Sequence, residues 1–183
     1  MKLVILDRDG VINQDSDQFI KSPDEWIPIP GSLEAIGRLN REGWRVVIAT
    51  NQSGIARNLF NMDMLNRIHD KMVQMVAGKG GEVDGIFFCP HGPGDACRCR
   101  KPRPGLFEDI AERFRIQLND VFAVGDSERD IVAARDAKAR PVLVKTGKGR
   151  STAKTSTELD GVPVFRDLAE FVDTLVQGKL EEY

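Results

Sequence analysis

Short, wholly apolar runs alternate along this chain with longer segments whose apolar residues recur at helical spacing. A strand of a parallel sheet reads as a continuous apolar run, because helices cover both of its faces. The apolar runs therefore predict six strands, the last of them a short edge strand. They are Leu3–Asp7, Trp44–Thr50, Gly85–Cys89, Val121–Gly125, Pro141–Thr146 and Val162–Phe165.

The segments between these runs predict helices. Pro30-Gly31-Ser32 is a start signal, and Leu33, Ile36 and Leu39 then follow at helical spacing. Further helices are predicted over 63–77, from Pro104 onward, over 131–137 and over 168–176. Alternation of strands and helices predicts an α/β fold, a Rossmann-like, doubly wound, mostly parallel sheet with helices on both faces.

Three stretches lack a clear period and are interpreted as loops. They are 11–30, which lies next to the first strand, 90–103, which is rich in Gly, Pro, Cys and Arg, and the polar segment 147–159, which we expect to be mobile. In the helix over 63–77 the apolar stripe is typical of core packing. His69 lies mid-helix beside charged residues, so we expect it at the surface.

Composition and charge narrow the class of protein. The 183 residues, 41% of them hydrophobic and 30% charged, suit a single folded domain spanning 1–183. The formal net charge of −2 argues against nucleic-acid or anionic-membrane partners. We read no signal peptide or membrane span and expect a cytoplasmic location. No exposed face reads as a large hydrophobic patch, so a monomer is expected.

Polar clusters follow three of the predicted strands, at Asp7/Asp9, Thr50/Asn51 and Asp126/Asp130. One aspartate after a strand is more often a turn residue or helix cap than a catalytic group. The carboxyl ends of parallel strands, however, meet at one edge of a sheet, where ligands bind. Three converging clusters therefore favour a site, and Gly10 permits a sharp turn close to a ligand.

Carboxylates in this arrangement suit Mg²⁺, which prefers oxygen ligands and retains substrate phosphate. The metal would screen repulsion between Asp7 and the phosphate that it attacks, so that Asp7 acts as a nucleophile and forms an aspartyl-phosphate. Asp9 would protonate the leaving alcohol and later activate water. Thr50 and Lys101 are the candidates for binding the phosphate oxygens.

The motifs DRDG, TNQSG, RKPRPG and GDSERD, in that order, resemble those of the haloacid dehalogenase-type phosphatase superfamily. The resemblance implies Asp7 as nucleophile, Asp9 as acid and base, and Thr50 and Lys101 on the transferring phosphate. It implies Mg²⁺ held by Asp7, the backbone carbonyl of Asp9 and Asp126. The intervals between the motifs leave no room for the cap domain that many members carry, so an open site is expected.

The loop after the third strand carries all three cysteines and one of the two histidines of the chain. Cys89 and His91, then Cys97 and Cys99, have i, i+2 spacing, which points both side chains of an extended pair the same way. Cys₃His is a known structural zinc set. We expect a structural Zn²⁺ that orders residues 89–103 and thereby places Arg100 and Lys101; incidental thiols are the alternative.

This loop narrows the resemblance to zinc-containing members of the superfamily that act on a phosphorylated sugar or on histidinol phosphate. A sugar bisphosphate needs extra cations, and Arg57 and Arg100 favour it, with Asn51, Gln52 and Ser53 as further contacts. The segment from Asp15 to Gln18 is expected to contact sugar hydroxyls. Asp15 and Asp17 keep the cationic histidinol phosphate open. Two features depart from the pattern of these members of the superfamily. Some of them have a basic residue at the position of Ser127, and the interval between His91 and Cys97 is short here.

A zinc-knuckle protein that binds nucleic acid is the alternative from another class. Arg98, Arg100, Lys101 and Arg103 would form its basic patch. The negative net charge and the lack of interleaved aromatic residues in the loop argue against it.

Overall fold

The computed structural model describes residues 1–180, in which a six-stranded, all-parallel sheet is flanked by α-helices. The strands are β1 (Leu3–Leu6), β2 (Arg45–Asn51), β3 (Gly85–Cys89), β4 (Phe122–Gly125), β5 (Arg140–Val144) and β6 (Val164–Phe165). The helices are α1 (Ser32–Arg41), α2 (Met62–Ala77), α3 (Gly105–Phe114), α4 (Glu128–Asp136), α5 (Gly149–Thr155) and α6 (Leu168–Val176).

The strand order is β3-β2-β1-β4-β5-β6, and every neighbouring pair is parallel. The chain winds outward from β1 to one edge and then returns beside β1 to build the other half. The switch point between the halves therefore lies between β1 and β4, where an open α/β sheet forms its ligand-binding crevice.

Successive residues of β1 enter different cores, because side chains alternate across a strand. Val4 and Leu6 belong to the core that α1, α2 and α6 cover. Leu3 and Ile5 belong to the core on the opposite face, which α3 and α4 cover. The predicted Rossmann-like sheet with helices on both faces is confirmed. No cap domain is inserted between strands within residues 1–180.

Two sequence predictions about local structure are wrong. The segment 147–159, expected to be a mobile loop, contains α5 (Gly149–Thr155), which packs against the end of β5. His69, expected at the surface, is only 7% exposed and points into the protein from α2. The helix after β4 also begins at Glu128, three residues before its first apolar position, because Ser127 and Asp130 form a capping box.

The segment 11–30 is irregular, as predicted, apart from one short 3-10 helix, Pro23–Glu25. It nevertheless packs closely, and the Trp26 side chain is fully buried. Among the described residues no helix is long and apolar enough to cross a membrane.

Candidate active site

Three buried carboxylates meet at the switch point. Asp7 directly follows β1, Asp126 directly follows β4, and Asp130 lies in the first turn of α4. Each offers one oxygen, and the three oxygens lie within 4.8 Å of one another. The strand pairing forces this meeting: β1 and β4 are hydrogen-bonded neighbours, and the backbone N–H of Asp7 donates to the Val124 carbonyl at 2.9 Å.

Lys101 provides the cation of this cluster and is itself only 2% exposed. Its Nζ lies 2.7 Å from Oδ1 of Asp130 and 3.1 Å from Oδ1 of Asp7, and donates to the carbonyl of Ala49 at 2.8 Å. The Asn51 side chain holds the backbone of Lys101 through two hydrogen bonds. Its Oδ1 accepts from the Lys101 N–H and its Nδ2 donates to the Lys101 carbonyl, both at 3.0 Å. The ammonium group is thus fixed beside Asp7.

The single lysine does not neutralise the carboxylates. Burial raises the pKa of Asp7 to about 6, against the attraction of Lys101. Burial, and then the charges of Asp130 and Asp7, raise the pKa of Asp126 to about 8. Asp130 differs, because Lys101 and Arg129 outweigh its burial and hold its pKa below the ordinary value.

These observations test whether the residues fit a divalent cation. Asp7 and Asp126 are crowded, buried oxygen donors whose ionised forms repel each other, and a bound cation would relieve that repulsion. Asp130 already receives Lys101, the Ser127 hydroxyl at 2.6 Å and the Ser127 N–H at 3.0 Å. The donor set fits Mg²⁺, with Asp7 and Asp126 as side-chain ligands and Asp130 as the residue that orients Lys101.

The position of Asp126 depends on α5 and on two glycines. The backbone N–H of Lys148 donates to Oδ2 of Asp126 at 2.8 Å, and the Thr152 hydroxyl donates to the Asp126 carbonyl at 2.9 Å. Gly10 and Gly147 both have positive φ, and a Cβ on either would lie about 2 Å from Oδ2 of Asp126. The carboxylate is therefore enclosed by backbone that only glycine allows so close.

Asp9 lies beside this cluster and has a different environment. Its Oδ1 accepts from Nε of Arg8 at 3.0 Å and from Nδ2 of Asn13 at 2.8 Å, and its Oδ2 accepts from Nε2 of Gln52 at 3.1 Å. Burial opposes ionisation, but the Arg8 guanidinium and these hydrogen bonds outweigh it, so the pKa of Asp9 lies below its ordinary value. Gln52 also donates to Oγ1 of Thr50 at 2.9 Å.

A cavity of about 220 Å³ opens above Asp7 and Asp9. Most of the sequence-predicted substrate residues line it. They are Asp15, Thr50, Asn51, Gln52, Ser53, Arg57 and Arg100. Lys101 lies beneath its floor. Gln18 is not among the lining residues; it is exposed, and its backbone N–H donates to the Ser16 hydroxyl at 3.1 Å.

Two cations at the cavity were missed in the sequence. Arg129 follows the GDS turn and lines the cavity; its Nε is buried without a hydrogen-bond partner. Lys148 reaches in from the start of α5, with Nζ 3.6 Å from Asp15 and 3.8 Å from Asp17. The spacing of GDSERD could have signalled Arg129, one turn after Asp126. Lys148 was hidden by the loop prediction for 147–159.

A larger, open groove of about 690 Å³ adjoins the cavity, and the two share Asp15, Ser16, Asp17 and Lys148 as a common wall. Asp7 and Asp9 line the smaller cavity and not the groove. The reacting group therefore belongs in the smaller cavity.

The three cysteines and His91 form a second cluster, at the end of β3 and in the loop that follows. Sγ of Cys89 lies 3.0 Å from Sγ of Cys99 and 3.8 Å from Sγ of Cys97. Nδ1 of His91 lies 3.3 Å from Sγ of Cys99 and 3.5 Å from Sγ of Cys89. Two sulfurs bound to a tetrahedral zinc lie about 3.8 Å apart and a sulfur and a nitrogen about 3.5 Å apart. The Cys89–Cys97 and His91 distances match these values and the Cys89–Cys99 distance is shorter, so the donor set fits Zn²⁺.

This cluster connects to the cavity through the residues that follow it. Arg100 lines the cavity, and its Nη1 donates to the His91 carbonyl at 3.2 Å. Arg103 donates to the carbonyls of Cys97 and Asp95. The loop thus brings Arg100 to the cavity wall, whereas Lys101 lies beside Asp7 and not among the lining residues.

Known proteins similar to this chain agree with the geometry. A family model described as HAD-hydrolase-like matches residues 98–171. D-glycero-beta-D-manno-heptose-1,7-bisphosphate 7-phosphatase of Bordetella bronchiseptica is 58% identical over 97% of this chain and 99% of that protein. The Pseudomonas aeruginosa enzyme of the same name is 52% identical over 96% of this chain and 98% of its own length. The chain belongs to this phosphatase family.

Solved structures of the family have the same fold. The B. bronchiseptica D,D-heptose 1,7-bisphosphate phosphatase, complexed with magnesium and phosphate, has a TM-score of 0.96 and 57% identity, over 97% of this chain and 99% of that one. The Burkholderia thailandensis enzyme has a TM-score of 0.78 and 46% identity, over 96% and 99%. The predicted resemblance to haloacid dehalogenase-type phosphatases is therefore confirmed.

Proposed function

We propose that this protein is a Mg²⁺-dependent phosphatase that removes the 7-phosphate of D-glycero-β-D-manno-heptose 1,7-bisphosphate. The observation that carries the proposal is the meeting of Asp7, Asp126 and Lys101 at the switch point, below a cavity lined by arginines. Family membership supports the substrate, and the relatives' names specify the β anomer.

In the first step an Asp7 carboxylate oxygen attacks the phosphorus atom. A bond forms between that oxygen and phosphorus, the bond from phosphorus to the sugar oxygen breaks, and Asp9 gives its proton to the departing oxygen. In the second step Asp9 takes a proton from water, the hydroxide attacks phosphorus, and the bond to Asp7 breaks. Phosphate leaves and Asp7 is restored.

The ionisation of Asp9 supports both roles. Its low pKa makes it a carboxylate in the free protein, which suits the base of the second step. An incoming phosphoryl group brings negative charge beside Asp9, and a nearby like charge raises the pKa of a carboxyl. Binding of substrate would therefore favour uptake of a proton from solvent by Asp9, and this is the proton that the acid of the first step needs.

Asp7, Asp126 and the Asp9 backbone carbonyl would hold Mg²⁺, and the bound cation would supply screening of the charge on the phosphoryl group. Lys101 stabilises the same charge from beneath, and Thr50 lies at the cavity wall, where its hydroxyl can donate to a phosphate oxygen. Cys89, His91, Cys97 and Cys99 would hold a structural Zn²⁺ whose contribution to turnover is indirect, through Arg100 and Lys101.

The charges around the cavity favour a bisphosphate over a cationic substrate. Arg57, Arg100 and Arg129 line the cavity together, and a second phosphate can bind to them while the first lies at Asp7. Asp15 and Asp17, which would attract the amine of histidinol phosphate, are both paired with Lys148. Lys148 therefore offsets one of the two negative charges that would attract the amine of histidinol phosphate.

We also propose that the protein acts in the cytoplasm on a small phosphorylated sugar in lipopolysaccharide biosynthesis. A reducing compartment keeps the three thiols of the zinc cluster available as ligands.

The test is phosphate release with Mg²⁺ from both anomers of heptose 1,7-bisphosphate, beside histidinol phosphate and fructose 1,6-bisphosphate. We expect the β-heptose compound to have the highest kcat/KM. Arg57→Ala should then lower kcat/KM on the heptose bisphosphate by about 10- to 100-fold, and much less on a monophosphate, because one charge-assisted contact is worth about 1.5–3 kcal/mol. Preference for histidinol phosphate would overturn the substrate assignment.

A further inference from the structure

Arg8, the residue between the two aspartates of DRDG, is fully buried although it carries a permanent charge. Its guanidinium forms a fork on Asp9: Nε and Nη2 lie 3.0 and 2.9 Å from Oδ1, and Nη2 lies 3.3 Å from Oδ2. A fork of this kind fixes the plane of a carboxylate as well as its charge. The orientation of Asp9 is therefore tied to the orientation of Arg8.

The third nitrogen of Arg8 contacts α2. Nη1 of Arg8 lies 3.1 Å from Nε2 of His69. Arginine can only donate, so Nε2 of His69 is the acceptor, and the ring is neutral with its proton on Nδ1. Burial, followed by the Arg8 charge, lowers the pKa of His69 to about 3, in agreement with a neutral ring.

The His69 ring is itself fixed by its surroundings. It lies on the buried face of α2, and its centroid is 6.3 Å from that of Phe88 on β3, at a tilt of 59°. Arg8 cannot turn away from Asp9 without losing its acceptor in a buried region, which is costly. The chain of contacts thus runs from a helix remote in sequence to the carboxylate that we assign as acid and base.

We propose that His69 is a positioning residue for catalysis, which acts through Arg8 to aim the Asp9 carboxyl at the leaving oxygen of the substrate. The inference rests on the proposed role of Asp9. A residue that only stabilised the fold would affect all substrates alike, whereas one that aims a general acid matters most when the leaving oxygen needs a proton.

The experiment uses that difference. The full chain, with Mg²⁺, is assayed for kcat/KM on a sugar phosphate, whose leaving alkoxide is strongly basic, and on p-nitrophenyl phosphate, whose leaving phenolate departs without a proton. For His69→Leu we expect kcat/KM on the sugar phosphate to fall by about 10- to 100-fold, since small misplacements of a reacting group cost that much. On p-nitrophenyl phosphate it should stay near the wild-type value. His69→Gln, whose amide oxygen can accept from Arg8, should recover most of the loss.

Phe88→Leu is the matched control, because it removes the ring packed against His69 and leaves the Nε2 acceptor in place. It should change both substrates equally, and melting temperatures of all variants show that they fold. Equal losses on both substrates for His69→Leu, or no rescue by His69→Gln, would overturn the positioning role.

Asp9→Asn separates this inference from the proposed function. If Asp9→Asn shows the leaving-group dependence and His69→Leu does not, only the positioning role fails. If Asp9→Asn shows no such dependence, the assignment of Asp9 as general acid fails, and the positioning role fails with it.

Discussion

The carboxylate cluster and the cysteine cluster both have donor groups that fit a cation, but these groups come together differently. Asp7 and Asp126 follow two different strands, and only the pairing of β1 with β4 brings them together. Cys89, Cys97 and Cys99 belong to one strand end and its loop. The first cluster therefore requires the whole sheet, whereas the second is local.

The clusters also differ in burial and charge. All three carboxylates are buried, and burial, with a further contribution from the neighbouring carboxylates, raises the pKa values of Asp7 and Asp126. Of the cysteines only Cys89 is buried; burial raises its pKa to about 12. The comparison indicates that the carboxylate cluster belongs to the buried edge of the sheet, whereas the cysteine cluster belongs to one loop, which we propose that Zn²⁺ orders.

Asp7→Asn should have the largest effect. It keeps the size of the side chain and removes the nucleophile, so turnover should fall by about 10⁴-fold or more, as for removal of other nucleophiles. The measurement is phosphate release, with circular dichroism to show an unchanged fold. A variant with substantial activity would rule out Asp7 as the nucleophile.

Substitutions of Asp126 and Asp130 should have different effects on Mg²⁺ binding. Asp126→Asn should abolish the rise in melting temperature that Mg²⁺ produces, because it removes a ligand. Asp130→Asn should retain much of that rise but lower kcat by about 10- to 100-fold, because Lys101 loses its shortest ion pair. Calorimetry of Mg²⁺ binding to both variants checks this. Equal loss of Mg²⁺ affinity would make Asp130 a ligand too.

Cys97→Ser tests the local cluster. We expect zinc content to fall, residues 89–103 to exchange amide hydrogens faster, and activity to drop by about 10- to 100-fold through the misplacement of Arg100 and Lys101. Arg98→Ala is the matched control, since Arg98 lies in the same loop and pairs with Glu108 and Asp109 away from the cysteines. If the two variants keep equal zinc content, Cys97 is not a ligand.

The smallest effect concerns pH. The folded pKa values of Asp7 and Asp126, about 6 and about 8, lie above the unfolded value of 3.8. Asp7 and Asp126 therefore lower the stability of the metal-free protein as pH rises from about 4 to 8, while Mg²⁺ binds the ionised form and offsets the loss. His69, whose pKa is lowered to about 3, contributes in the opposite direction below pH 6.5. At about 100 times its dissociation constant, Mg²⁺ should raise the melting temperature by roughly 5–10 °C at pH 8.

The rise with Mg²⁺ should be clearly smaller at pH 5.5, where Asp126 in particular holds its proton. Thermal melts at both pH values, with and without Mg²⁺, provide the measurement. A Mg²⁺-induced shift that does not change between them would contradict the assignment of the two raised pKa values.

Several features of this protein could be read from the sequence. The strands are continuous apolar runs, which is a local property, and their alternation with helices predicts the parallel sheet. The clusters after β1, β2 and β4 predict where polar groups meet, because parallel strands end at one edge. The cysteine cluster could also be predicted, because its four candidate ligands lie in one short segment of the chain.

Other features were decided by tertiary structure. His69 looks like a surface residue because its neighbours in sequence are charged, but α2 turns it toward Arg8, a contact between residues far apart in the chain. The helix α5 has a weak apolar pattern. It is stabilised by hydrogen bonds from the Lys148 N–H and the Thr152 hydroxyl to Asp126. Local pattern determines which segments form strands, whereas burial of charge and long-range hydrogen bonds exist only once the chain has packed. For that reason the polar groups that meet at the site could be predicted from the sequence, but contacts such as those of His69 with Arg8 and of Lys148 with Asp126 could not.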